Sequence, residues 1–299
     1  MNKMVSVIVA TYHREETLKK ALESLAKQSY VEMEIVLVDD NAEESWNQKV
    51  RDIVESFQKE FPSRQLLYMP NEVNLGSAKT RNRGIENASG EYITFLDDDD
   101  EYLPNKIENQ VRFMQEKQLD YCVTDLDLYY DNGKLAENKT RGYIKNTDKK
   151  SLFEYHLMYH ITGTDTMMFK KEYLIKIGGF APIDVGDEFY LMQRAIEYAG
   201  DFGYLPVCDV RAIIHTSDEG LSSGEGKIKG ENQLYAHKKK YFGQIGRKNR
   251  RYIKMRHYAV LAFAEKRRGR FASFLKNGML SVLCAPIACV KMLLERSKV

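Results

Sequence analysis

The stretch VSVIVATYHREETLKKALESLAKQ (residues 5–28) opens with a near-unbroken apolar run and changes rhythm after Thr11-Tyr12-His13-Arg14. From Glu15 onward Leu18, Ala21, Leu22 and Leu25 recur at helical spacing and share one face. A buried strand feeding an amphipathic helix is the reading. The same alternation continues through MEIVLVDD (33–40), a helix over 46–57, QLLYM (65–69), a helix over SAKTRNRGIENA (77–88) with Gly90 just past it, and EYITFL (91–96). Repeated strand–helix units of this kind predict right-handed crossovers and an α/β, Rossmann-like domain, its mostly parallel sheet flanked by helices.

Ligands bind such sheets at the carboxyl ends of the strands. Those ends carry Thr11-Tyr12-His13-Arg14, then Asp39-Asp40, then four consecutive aspartates, Asp97 to Asp100. Four adjacent carboxylates repel one another, and burying any of them unpaired is unfavourable. Either water solvates them at a turn, or a hard divalent cation such as Mg²⁺ or Mn²⁺ neutralises them.

Beyond residue 105 the pattern changes. A helix is predicted over 105–117, and DYCVTDLDLYYDNGKL (120–135) reads as a strand entering a turn at Asn132-Gly133. TDTMMFKK (164–171) reads as a strand followed by a short helix ending at Gly178-Gly179. GDEFYLMQRAIEYAG (186–200) reads as a helix opened by acids and ended by Gly200, and VCDVRAIIH (207–215) as a last strand delivering His215.

The net charge of +2 hides a split. Residues 227–299 hold 19 Lys/Arg against 3 Asp/Glu, whereas residues 1–226 hold 26 against 40. Two regions with different partners are expected, with a boundary near residue 226 in the Gly/Ser-rich GLSSGEGKIKG. Cys122, Cys208, Cys284 and Cys289 are scattered, which suggests neither a zinc site nor a disulfide framework and fits a reducing compartment. The N-terminal apolar run is too short for a signal-peptide core. The longest apolar stretch, Met279 to Val290, is interrupted by Ser281 and Pro286 and falls short of the roughly 20 residues a bilayer span needs. GSAKT (76–80) is not a P-loop, because Ala78 stands where the glycine before the lysine is required. His156 and His160 have helical spacing without the glutamate of a zinc protease.

Taken in order, VSVIVATYHREETLKKALESLAKQ, EIVLVDDN, NEVNLGSAKTRNRGI and GEYITFLDDDDEYLP resemble the nucleotide-binding half of the family-2 glycosyltransferases, inverting enzymes with the GT-A fold. Asp97-Asp98-Asp99 meets the family's D-x-D motif. GDEFYLMQR resembles its acid-acid-x-x-Leu-x-x-Arg helix start, with Leu191 and Arg194 in register. The resemblance covers residues 4 to 217 and implies roles. Tyr12 would stack on the nucleobase, with Arg14 beside it. Asp40, or alternatively Asp39, would accept a hydrogen bond from the base. Asn74 and Arg81 would reach the nucleotide or its phosphates. Asp98 would face the ribose, and Asp99, with Asp97 behind it and His215 arriving later, would hold Mn²⁺ or Mg²⁺. By register Glu188 is the catalytic base that deprotonates the acceptor hydroxyl; Asp187 is the rival, since many relatives have Glu-Asp where this chain has Asp187-Glu188.

The expectation is a cytoplasmic, metal-dependent transferase. Residues 1–226 form the catalytic domain, 1–104 the nucleotide half and 105–226 the acceptor half, and 227–299 form a basic helical tail. The expected donor is a nucleotide-sugar, namely a UDP-sugar, and the acceptor a glycan or a lipid-linked glycan of the cell surface. The basic, aromatic-laced tail suits the anionic inner face of a membrane; helices packed as ordinary structure are the alternative, and nucleic acid is not expected. Whether the chain forms a homo-oligomer is left open. Two rival functions stand beside this one: a non-catalytic nucleotide-sugar-binding scaffold, and a nucleotidyltransferase, which would want a Gly-rich basic loop where this chain has ATYHREE.

Overall fold

The structure is a computed structural model that describes residues 3–183, 186–214 and 224–296. Its chain falls into two compact units, Met1–Lys149 with Ile161–Ile214, and Lys150–His160 with His215–Val299. The boundary expected near residue 226 lies in the first turn of a helix that begins at Gly224.

In the first unit the described strands form one nine-stranded sheet. Strands β1 (Val5–Thr11), β2 (Met33–Asp39), β3 (Gln65–Pro70) and β4 (Tyr92–Asp97) are parallel in the order β3-β2-β1-β4. They alternate with α1 (Glu16–Ala26), α2 (Glu44–Glu60) and α3 (Ser77–Asn87). Helix α1 buries Leu18, Ala21, Leu22 and Leu25, the face its spacing predicts. β2 is buried throughout and β1 nearly so, which is why both read as continuous apolar runs rather than alternating ones. Register then sets the functional edge: Thr11 pairs with Asp39 and Ala10 with Asp97, so the polar residues that end three strands emerge side by side.

The remaining elements are β5 (Glu101–Tyr102), α4 (Lys106–Lys117), β6 (Tyr121–Tyr130), β7 (Leu135–Lys139), α5 (Lys149–Tyr159), β8 (Met167–Lys170), α6 (Lys171–Lys176), α7 (Asp187–Glu197) and β9 (Phe202–Ile214). β8 is antiparallel to both β4 and β6, and β9 runs parallel to β6. Two predicted strands differ in extent. Residues 164–166 form a 3-10 turn ahead of β8, and β9 begins at Phe202, five residues before the expected start. Pro206 explains the latter. It cannot donate to a ladder, and the register with β6 jumps from Thr124–Leu205 to Asp125–Cys208, leaving Pro206 and Val207 in a bulge.

Helix α3 sits hard against the sheet because Gly84 has no side chain. A Cβ there would lie 2.5 Å from Ile8 Cγ2 and 3.3 Å from Val38 Cγ2. Alanine normally gains about 1 kcal/mol over glycine inside a helix. Here overpacking, typically about 1–3 kcal/mol, opposes that gain. Gly84→Ala is therefore expected to lower the thermal midpoint, and a raised midpoint in a melting experiment contradicts the close approach.

The second unit holds α5 with α8 (Gly224–Lys239), α9 (Arg247–Arg267), α10 (Phe271–Cys284) and α11 (Pro286–Arg296). Among the described residues no single helix is long and apolar enough to cross a membrane; α10 and α11 meet at a 119° bend. Pro286 accounts for the break, since it supplies no N–H and forces Ala285 before it out of helical geometry, at φ −156°.

Candidate active site

The sheet's carboxyl edge gathers the first set of predicted residues. Tyr12, half-exposed, stacks on His13 at 4.0 Å between ring centroids, and His13 on Trp46 at 4.7 Å. The Tyr12 N–H and the Thr11 hydroxyl both donate to Asp98 Oδ2, at 3.1 and 2.8 Å. Burial, and next the charge of Asp99, push Asp98 up to about 7 despite those bonds. Asp99 lies 3.3 Å from Arg14 Nη2, so the strand-end arginine and the aspartate run hold each other.

Asp39 and Asp40 are both buried and already engaged by the chain. Asp39 accepts from the backbone and side-chain N–H groups of Asn41 at 3.0 and 2.7 Å and from the Tyr68 hydroxyl at 2.7 Å. Asp40 accepts from Asn71 Nδ2 at 2.7 Å and from the N–H groups of Leu75 and Gly76 at 2.8 and 2.9 Å. Asn74 Nδ2 donates to the Asp40 carbonyl at 2.9 Å. These residues fix the loop leading into α3. Each aspartate takes two bonds on Oδ1 and one on Oδ2, so acceptor capacity remains on Oδ2.

Helix α3 then delivers Arg81, which joins the two ends of the motif set. Its Nη2 donates to Asp97 Oδ1 at 2.6 Å and its Nη1 to Asp187 Oδ2 at 3.2 Å, across 106 residues of chain. Burial alone would lower the guanidinium pKa; the Asp97 and Asp187 carboxylates outweigh it and hold it above its ordinary value. Phe180 lies beneath the guanidinium at 5.4 Å, and Asn82 clamps the Phe180 backbone with two 2.8 Å bonds. Arg194 in turn donates to the Gly179 carbonyl. Leu191 is fully buried.

The acids at the start of α7 face different partners. Asp187 is tied to Arg81, and burial, with the Glu188 charge adding to it, raises its pKa. Glu188 Oε2 accepts from the Gly163 N–H at 2.6 Å and lies 3.5 Å from the Thr164 hydroxyl. Among the described residues both bonds fall on that one oxygen.

Two residues had no signal in the sequence reading. Asp165 is buried, and its Oδ1 accepts from the Asp97 N–H at 2.7 Å. Its carboxylate, with those of Asp97 and Asp100, forms a group whose ligand atoms all lie within 4.8 Å of one another. Asp100 is also buried and accepts from the Ile213 N–H at 2.8 Å. Arg141, likewise buried, donates to the Thr124 and Thr162 carbonyls and to Thr166 Oγ1. It thereby braces the 162–166 turn, which supplies both the Gly163 N–H and Asp165. The predicted metal ligands are thus distributed: Asp97 is in the three-carboxylate group, Asp99 is on Arg14, and His215 lies outside the described residues.

All donors in that group are carboxylate oxygens, the chemistry of Mg²⁺ and Mn²⁺ sites. Burial first, then neighbouring carboxylates, push Asp165 up to about 7 and Asp100 upward as well. Both carboxyls are shifted above the unfolded value, near 3.9. The stabilising contribution of Asp165 is complete below about pH 3.9 and lost as pH rises through about 7, and Asp100 acts in the same direction. Bound cation removes the repulsion behind that loss. Excess Mn²⁺ is therefore expected to raise the thermal midpoint more at pH 8 than at pH 5, relative to EDTA; an equal or reversed increment contradicts a cation at these carboxylates.

Residues 6–178 match the family model for glycosyl transferase family 2. An uncharacterized glycosyltransferase of Methanocaldococcus jannaschii is 32% identical over 177 residues, 58% of this chain and 58% of its own length. The Escherichia coli protein named UDP-Glc:alpha-D-GlcNAc-diphosphoundecaprenol beta-1,3-glucosyltransferase WfgD is 30% identical over 129 residues, 43% of this chain and 48% of its own. The chain spans about half the length of the curated relatives it matches. Among solved structures, S. aureus TarS in complex with UDP-GlcNAc superposes with a TM-score of 0.61 at 18% identity, covering 92% of this chain and 90% of that one. That likeness establishes the GT-A fold.

Proposed function

The chain belongs to glycosyl transferase family 2, and on that premise we propose that it transfers a sugar, with inversion, from a UDP-sugar to a lipid-linked or glycan acceptor. The setting is cell-surface polysaccharide synthesis at the cytoplasmic face of a membrane. The observation that carries this reading is the Arg81 bridge, which ties the D-x-D aspartate Asp97 to the acid pair opening α7. Donor-side and acceptor-side acids thus share one place. WfgD is named for a UDP-glucose donor and a diphosphoundecaprenol-linked acceptor, and the TarS structure contains UDP-GlcNAc, which favours UDP over other nucleotides and a lipid-linked acceptor over a free sugar.

In this mechanism Tyr12 stacks on the base, and Arg14 and Asp98 lie at the ribose and phosphate side. Glu188 is held by the Gly163 N–H on Oε2. It takes the proton of the acceptor hydroxyl as that oxygen attacks the anomeric carbon from the face opposite the leaving group. The bond between the anomeric carbon and the diphosphate oxygen breaks, and UDP leaves with its electron pair. Asp97 with Asp100, Asp165 or Asp99 would hold Mn²⁺ or Mg²⁺, which when bound would supply electrostatic stabilisation of the departing diphosphate.

The test is UDP release from a panel of UDP-sugars with Mn²⁺ or Mg²⁺, with and without lipid-linked acceptor. Release that EDTA abolishes is expected. UDP binding without turnover on any acceptor supports a scaffold instead, and no uridine nucleotide binding at all defeats the UDP assignment.

A further inference from the structure

The C-terminal helices invert the usual polarity of a surface helix. On α10, Phe271, Leu275, Met279 and Leu283 recur every four residues and are 64%, 66%, 61% and 67% exposed. The opposite face of α10 holds Ser281, which is 1% exposed and donates to the Met255 carbonyl of α9 at 2.9 Å. A polar residue is inside and these four large apolar ones are outside, while Phe274 and Leu280 are intermediate. Past the bend, α11 repeats the arrangement, with Ile287 and Val290 exposed and Cys289 buried. Contiguous exposed apolar side chains of this size signal a partner surface rather than ordinary scatter.

The charges around this stripe say which partner. Lys266, Arg267 and Arg270 are exposed where α9 hands over to α10, Lys276 lies beside Leu275 within the stripe, and Lys291 follows Val290 at its end. At the other end Arg251, also exposed, donates through Nε to the Cys284 carbonyl at 2.7 Å, which places its guanidinium at the α10–α11 bend. Residues 227–299 hold only 3 acids. An apolar stripe bracketed by cations at both ends matches an anionic bilayer surface, where acyl chains take the apolar residues and headgroup phosphates the Lys and Arg. A second copy of the same face would instead bring like charges together.

We propose that the exposed faces of α10 and α11 form one bilayer-seated surface for anionic phospholipid, with Phe271, Leu275, Met279, Leu283, Ile287 and Val290 entering the interface. This deepens the membrane location proposed above and stands independently of the transfer chemistry. Neither helix crosses the bilayer; the bent pair lies in its surface.

The experiment is co-sedimentation of the full chain, without donor or acceptor, with phosphatidylcholine vesicles that contain or lack phosphatidylglycerol. Phosphatidylglycerol-dependent binding is expected. Leu275→Glu with Met279→Glu is expected to weaken it about 100-fold, and Ile287→Glu with Val290→Glu to weaken it comparably. Lys276→Glu with Lys291→Glu is expected to reduce binding about tenfold or more and to flatten its salt dependence. Unchanged circular dichroism and UDP binding in each variant show that the fold is intact. Vesicle binding that survives both apolar double variants overturns the proposal. So does a wild-type chain that ignores vesicles but loses half its light-scattering mass on Leu275→Glu with Met279→Glu, which would assign the face to a second copy.

Discussion

Replacing Arg81 with methionine is expected to abolish measurable transfer, lowering UDP release by about 10³ or more, and to lower the thermal midpoint by about 10 °C. The guanidinium pairs with both Asp97 and Asp187, at 2.6 and 3.2 Å. Methionine keeps an unbranched apolar stem in the helix but lacks the guanidinium, so the charge and the two-pronged contact are lost together. Removing one member of a buried ion pair typically costs about 3–5 kcal/mol, because the partner is left buried and charged. Asp187, 12% exposed, carries most of that penalty. Asp97 is 36% exposed and water screens its share. Arg81→Lys separates the effects, since a single ammonium retains charge but cannot reach both carboxylates as a fork. Lysine is expected to restore much of the stability and little of the activity. Full activity in Arg81→Lys would show that charge alone matters and that the bridge does not position Asp97 against the α7 acids.

The parallel half of the sheet was legible because local and global signals agree there. Buried strands such as β2 are apolar on both faces, and each turns polar where it leaves the sheet. The helix start at Asp187 was legible for a similar reason, as an acid pair in register with Leu191 and Arg194. Asp165 was not. It is a lone aspartate before a strand, and only the antiparallel register of β4 with β8, Thr94 opposite Met168, carries it to Asp97 three residues further on. No local pattern encodes that pairing. Arg141 was hidden differently, in a polar stretch without periodicity, where its guanidinium is buried among two backbone carbonyls and a hydroxyl. The charge split located a basic region, but could not show that α5, far upstream, belongs to the same unit. The inverted face of α10 needed coordinates too, since periodicity reports that a face exists and not which way it points.

Glu188→Gln is expected to lower kcat by about 10²–10⁴ while leaving KM for the donor and the thermal midpoint nearly unchanged. Glutamine keeps a carbonyl oxygen for the Gly163 N–H, so the turn braced by Arg141 loses little; what disappears is the capacity to accept the acceptor's proton. Asp187→Asn is the necessary companion. It removes the negative charge facing Arg81 at 3.2 Å and leaves that guanidinium paired with Asp97 alone. The pH profile adds a second readout. The discriminating feature is the acid limb of kcat/KM. If Asp187 were the base, that limb would lie above the ordinary aspartate range, because burial and the Glu188 charge both raise its pKa, and it would vanish in Asp187→Asn. Both oxygens of Asp187 are engaged by the protein, Oδ2 by Arg81 and Oδ1 by the Glu188 N–H, so an acceptor hydroxyl would have to displace one of them. Glu188 faces no such barrier, as its bonds to Gly163 and Thr164 fall on one oxygen. Register and geometry therefore favour Glu188, and loss confined to Asp187→Asn would move the base by one residue and make Arg81 the group that must release it.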